Sequence, residues 1–101
     1  MQLFRTILFV KDLQRMADFY GTILGLPLIA NSRAEDWAEF DAGGIVFALH
    51  AIPAKFATEI EITSPPTPRQ QAPVKLCFSV NDIAAERARL ESPGVMFLES
   101  P

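Results

Sequence analysis

Cysteine, histidine, tryptophan and tyrosine each occur once in the 101 residues, as Cys77, His50, Trp37 and Tyr20. One cysteine excludes an internal disulfide and fits a reducing compartment. Long apolar runs are missing too: the longest, residues 7–10 and 45–49, are strand length and fall far below the roughly 20 residues that cross a bilayer. No membrane association is therefore expected. No basic leader followed by a long apolar stretch opens the sequence, so a cytoplasmic location is the expectation. There is no basic run either. The 9 basic and 12 acidic side chains are interleaved, for a net charge of −3, which argues against nucleic acid binding through phosphate contacts.

What the chain has in quantity is apolar side chains, 50% of the total, with a mean hydropathy of +0.19. A chain of this length builds one domain around one core. This much apolar surface points to a cavity or a subunit interface as well.

The pattern predicts a strand over residues 2–10. Asp12 then caps a helix whose apolar positions Leu13, Met16, Ala17, Tyr20, Ile23 and Leu24 follow helical spacing, and Gly25 stops it. Strands are expected at 26–30 and 37–40, joined by a polar link over 31–36. A turn at 41–44 leads into a strand at 45–50, so the last two strands form a hairpin. A connector over 54–73 ends in SPPTPRQQAP, where four prolines forbid regular structure. Beyond it the pattern gives a strand at 74–80, a helix from the Asp82 cap to about Glu91, a stop at Pro93-Gly94, and a strand at 95–98.

The two halves echo each other. LFVKDLQRM at 8–16 returns as FSVNDIAAE at 78–86, an offset of 70 that pairs Val10, Asp12 and Leu13 with Val80, Asp82 and Ile83. Gly25 and Gly94 fall within one position of the same register. Asp is a common helix cap, so the short match alone is ambiguous. The matching order of elements on both sides favours a true repeat.

The run RTILFVKDLQRMADFYGTILGLPL, then the DAGGIVFALH hairpin, then VKLCFSVNDIAAERARLESPGVMFLESP, resembles the glyoxalase/bleomycin-resistance/extradiol-dioxygenase group, the vicinal oxygen chelate superfamily. The resemblance spans nearly the whole chain and is most specific at V-x-D-L followed by x-FY-x-x-x-LG-x-P. It implies an α+β fold: two βαβββ modules, about 1–53 and 74–101, whose curved mixed sheets surround a shared cavity, usually in a homodimer. The second module is expected to be incomplete. After residue 98 it lacks two strands with their turns, roughly 15 to 20 residues by ordinary element lengths. Either the chain is cut short, or a partner chain completes the sheet.

Metal-dependent members of the group carry ligands on the first and last strands of each module. Carried over, the first-strand positions fall on Arg5 and Lys75, again 70 apart. A guanidinium has no lone pair to offer, and an ammonium repels a divalent ion, so neither is a normal metal ligand. On the last strand of the first module the ligand position falls on Ala48, with His50 two residues on and on the same face. His50 is open to three roles: metal ligand, general base, or a strand-end residue meeting water. An imidazole without companions is a poor metal site, which favours the last.

Cys77 faces the same way as Lys75 and reads better as a small apolar residue than as a nucleophile. Trp37 is the best candidate for an aromatic facing a ligand, with Phe47 and Ile7 beside it. Glu39, inside a short strand, could pair with Arg5 or Lys75 and neutralise an anion site there.

These features lead to an expectation of metal-independent binding or sequestration of a small, partly apolar, anionic molecule, without a cofactor. Arg5 and Lys75 would meet its charge, and Trp37, Phe47, Ile7 and His50 its remaining surface. The alternatives are a metal-dependent lyase, isomerase, hydrolase or dioxygenase with ligands partly outside this chain, and a module that only dimerises.

Overall fold

The computed structural model describes residues 1–60 and 74–98. The chain divides into two compact units, Met1–Glu61 and Ile62–Pro101. The proline-rich stretch expected at 64–73 lies outside the described residues.

The first unit is built on β1 (Arg5–Val10), β2 (Trp37–Asp41) and β3 (Val46–Ala51), hydrogen-bonded in the order β1-β3-β2. Central β3 runs parallel to β1 and antiparallel to β2. The β2–β3 hairpin turns through Asp41, whose carboxylate accepts from the Gly43 and Gly44 amides at 2.9 and 3.3 Å. Both glycines have positive φ, 85° and 100°, a conformation that other L-residues adopt only with strain.

Between β1 and β2 the chain forms α1 (Leu13–Asp18) and then a π-helical turn, Phe19–Ile23. In that turn the Leu24 amide donates to the Phe19 carbonyl at 2.8 Å. Gly25, at φ 84°, ends the segment, and the Leu26 amide closes back onto the Tyr20 carbonyl at 3.0 Å. A short helix, α2 (Ala54–Ala57), follows β3 where a connector was expected.

Alternation along the strands sends one set of side chains to the helix side of the sheet. Phe47 and Leu49 from β3, Ala38 and Phe40 from β2 and Val10 from β1 pack there with Leu13 and Tyr20 as the core. Tyr20 stands edge-on to Phe47 with ring centroids 4.7 Å apart. Burying each of the larger apolar side chains contributes about 1.5–3 kcal/mol, so this layer holds the unit together.

In the second unit α3 (Ile83–Glu91) repeats the entry geometry of α1. Asp12 accepts from the Arg15 amide at 3.1 Å, and Asp82 from the Ala85 amide at 3.0 Å. The first backbone bonds, Met16 to Asp12 and Glu86 to Asp82, are 3.1 and 3.0 Å. Each of these pairs is 70 residues apart, as the sequence repeat requires. Gly94, at φ 101°, follows α3 as Gly25 follows the first helix.

The mixed α+β class stands, but several expected strands do not form. Residues 2–4 precede β1 without joining it. Residues 26–30 contribute only an isolated bridge, Leu28 to Phe40, flanked by the bonds Asp41 N to Pro27 O and Ile29 N to Glu39 O. Pro27 has no amide to donate, and Asn31 turns away at φ 65°, so the ladder stops there. Residues 74–80 and 95–98 are not strands either. A strand needs a hydrogen-bonded neighbour, and these segments have none among the described residues. The three-stranded sheet is open rather than closed round a cavity.

Two outcomes test this account. Tyr20 is the only tyrosine, and its burial raises the phenol pKa above the ordinary value of 10.0. The unfolded chain therefore ionises first as pH climbs past that value. Stability should be flat below it and fall above it, until the folded phenol also ionises. Phenolate absorbance combined with urea unfolding should show this, and Tyr20→Phe should remove this contribution to the pH dependence. Secondly, Asp12→Ala should lower stability by about 1 kcal/mol, read from urea unfolding followed by Trp37 fluorescence.

Candidate functional site

The side chains not used in the core stand on the opposite face of the sheet, and the pairing register arranges them in rows. Phe9, His50 and Trp37 lie opposite one another across β1, β3 and β2. The next row is Ile7, Ala48 and Glu39, and the last is Arg5, Val46 and Asp41. The first row is a continuous aromatic strip. Phe9 and His50 have ring centroids 5.1 Å apart, and Trp37 meets His50 edge-on at 5.3 Å. Phe9, and Ile7 beside the strip, are 59% and 44% exposed, while Trp37 and His50 are half-buried.

Arg5 crosses this face diagonally. Its Nη2 lies 3.0 Å from Oε2 of Glu39, two strands away. The guanidinium carbon is 4.8 Å from the Phe4 ring and 5.5 Å from the Trp37 ring. Central β3 presents only the methyl group of Ala48 between Ile7 and Glu39, so no bulky side chain rises there to block the crossing. The buried Nε of Arg5 has no hydrogen-bond partner among the described residues.

His50 has Asp36 as its acidic neighbour, Nε2 to Oδ2 3.8 Å. That is too long for a hydrogen bond and short enough for attraction when the ring is protonated.

Five of the expected site residues are thus placed by this unit, and four of them, Arg5, Ile7, Trp37 and His50, share the face. Phe47 does not. It is 3% exposed and belongs to the core, because a strand turns successive side chains to opposite sides and Ala48 and His50 already point to this one. Lys75 is exposed and belongs to the other unit, as does the exposed Cys77. Arg5 is not an uncompensated cation, since Glu39 neutralises it. The expectation of an anionic ligand therefore loses half its basis. Phe9 was not anticipated as a face residue, nor Phe4 as a neighbour of the Arg5 guanidinium. For Phe9 the signal was present, since it continues the alternation of Arg5 and Ile7.

The two positions of this unit to which the resemblance carries metal ligands do not fit a metal ion: Arg5 offers no lone pair and Ala48 has no donor atom. The neighbouring Glu39 is engaged by the Arg5 cation. Among the described residues no three His, Cys, Asp or Glu side chains stand close enough to hold one.

A separate open groove of about 430 Å³ runs beside the first helix and the π-helical turn, over Phe40 and Leu28. Its polar rim is self-satisfied: Gln14 donates to Asp18 at 2.9 Å and accepts from Arg33 at 3.2 Å.

The model of the Glyoxalase/Bleomycin resistance protein/Dioxygenase superfamily matches residues 2–101. Among solved structures, a glyoxalase/bleomycin resistance protein/dioxygenase from Nocardioides is similar at 24% identity and a TM-score of 0.66, covering 100% of this chain and 67% of its own. The bleomycin resistance determinant encoded on transposon Tn5 is 18% identical, with a TM-score of 0.60 and coverage of 100% and 72%. The lactoylglutathione lyase from Agrobacterium tumefaciens is 21% identical, with a TM-score of 0.61 and coverage of 94% and 72%. At these identities the likeness speaks for the fold. No curated protein matches the chain. Among the described residues no helix is long and apolar enough to cross a membrane.

A double-mutant cycle on Arg5→Ala and Glu39→Ala should give a coupling of about 1 kcal/mol, the upper end for exposed pairs, because this one is partly buried. Arg5→Ala should be the more damaging single change, since it leaves a carboxylate that is 16% exposed without its cation. Urea unfolding of the four proteins checks both statements.

Proposed function

We propose that this chain, which belongs to the Glyoxalase/Bleomycin resistance protein/Dioxygenase superfamily, binds a small, partly apolar molecule on the open face of its first sheet, without a metal ion. The observation that carries this is the aromatic strip Phe9–His50–Trp37. Side chains of this kind are buried in a core when their role is packing, and here the core lies on the other side of the sheet. A flat ligand laid across the strip would cover Trp37, Phe9 and Ile7, and Arg5 would contribute its spare N–H donors. Binding of this type needs no chemistry from the protein, only shape, apolar contact and a few polar groups that fix orientation.

Sequestration agrees with the chemistry of the face better than catalysis does. The one imidazole has a carboxylate 3.8 Å away rather than in hydrogen-bond contact, and among the described residues the sheet strands place no Ser, Thr or Cys on the face. The protein's expected setting is a cytoplasmic homodimer. Val74, Leu76, Phe78 and Val80, between 37% and 63% exposed, support a further apolar contact such as a second copy would supply.

Trp37 is the only tryptophan, so its fluorescence reports directly on the face. Titration with bleomycin and with a panel of planar aromatic compounds, in the presence of a chelator, should quench or shift the emission for at least one of them. Phe9→Ala should then weaken that compound about tenfold, the loss of one aromatic contact, while leaving the melting temperature nearly unchanged. Lys75→Ala tests the repeat-related cation in the same assay. If no compound binds unless a divalent metal is added, or if Phe9→Ala and Arg5→Ala both leave affinity untouched, the reading is wrong.

A further inference from the structure

We propose that Glu39 sets the charge preference of the sheet face, so that the site takes neutral or cationic aromatic molecules and disfavours anionic ones. This rests on the binding function proposed above and specifies its ligand class.

The reasoning starts from the groups that a molecule on the strip would meet. Arg5 is the one cation that the sheet strands place on this face, and its guanidinium is held 3.0 Å from the Glu39 carboxylate. An anion approaching Arg5 therefore meets Glu39 as well. Asp36 lies at the other end, beside His50. Counting Arg5 against Glu39, Asp36 and Asp41, the surroundings of the strip carry a net negative charge while His50 is neutral.

The aromatic rings act in the same direction. The faces of Trp37, Phe4 and Phe9 are electron-rich and attract cations. Arg5 itself shows the preference, with its guanidinium against both the Phe4 and Trp37 rings. A ligand ammonium can use the Phe9 end of the strip, since the rings that the Arg5 guanidinium lies against are those of Phe4 and Trp37.

Glu39 rather than Arg5 is the determinant because the position is finely balanced. Removing the negative charge while keeping the shape leaves the guanidinium where it is, held by the rings, with its charge uncompensated and its buried Nε still without an acceptor among the described residues. The same face then becomes an anion site, with a pre-positioned donor. One carboxylate thus separates two ligand classes.

Three naphthalenes of similar size, carrying an aminomethyl, a hydroxymethyl or a carboxylate group at the same carbon, make the test, with binding measured by calorimetry on the full chain. The native protein should bind the ammonium and the alcohol more tightly than the carboxylate, by about tenfold. Glu39→Gln should reverse the order by tightening the carboxylate about tenfold. Arg5→Gln should widen the native preference, which gives an independent reading should Glu39→Gln fold poorly.

A native protein that prefers the carboxylate, or a Glu39→Gln protein with the native order, overturns the proposal and leaves the binding function standing. So does an Arg5→Gln protein with an unchanged ratio. Absence of binding by all three naphthalenes, together with silence of Trp37 towards the wider panel, overturns the binding function and this proposal with it.

Discussion

The period-two alternation of β3 is the constraint on which the rest of the first unit depends. Among the described residues it is the only strand with hydrogen-bonded strands on both sides, so its register fixes what both faces contain. Phe47 and Leu49 go to the helix side and recruit Tyr20, Leu13 and Phe40 into a core. Ala48 and His50 go to the other side, where Ala48 is fully covered and His50 stays half-exposed. A one-residue slip in the pairing would bring Phe47 and Leu49 out and send the imidazole into the apolar layer, which explains why the register is unambiguous. The site is thus a consequence of the core: whatever the core takes from the strand, the face receives the alternate residues.

The helix entries were legible because their physics is local. Asp12 and Asp82 each cap through a side chain bonded three residues on, a geometry decided within a few residues of chain. The glycines at 25, 43, 44 and 94 all take positive φ. They stand where the sequence called for a stop or a turn. The expected strands failed for an equally physical reason. Residues 74–80 alternate as a strand should, but a strand is a relation between two segments, and no propensity supplies the partner. At 26–30 the sequence did hold the clue in Pro27, which cannot donate to a ladder and reduces the segment to one bridge.

The face was legible in part. Arg5, Ile7 and His50 follow from counting along β1 and β3 by twos, and the same count excludes Phe47 and includes Phe9. Counting cannot say which strands lie side by side. The strip Phe9–His50–Trp37 exists only because β1 runs parallel to β3 while β2 runs antiparallel to it, with Val10 opposite Ala51 and Trp37 opposite His50. The ion pair is harder still, since Arg5 and Glu39 are 34 residues apart and two strands distant. Alternation made the pair possible, and pairing made it actual.

The substitution of chemistry at this site has a consistent logic. Where the resemblance would put metal ligands, the first strand carries a guanidinium and the central strand a methyl group. Each change makes the other workable. A long cation needs clearance to reach an acid on the far strand, and Ala48 provides it by having no more than a Cβ. A sheet face bearing an uncompensated cation beside open aromatic surface would bind anions indiscriminately, and Glu39 suppresses that by neutralising it. The same pair also draws the guanidinium over the Phe4 and Trp37 rings, where it limits how a ligand can lie. The most exposed apolar part of the face is Phe9, at the end of the strip, with Ile7 in the row beside it. On the proposed reading, that combination would discriminate by shape and by ligand charge without chemistry from the protein.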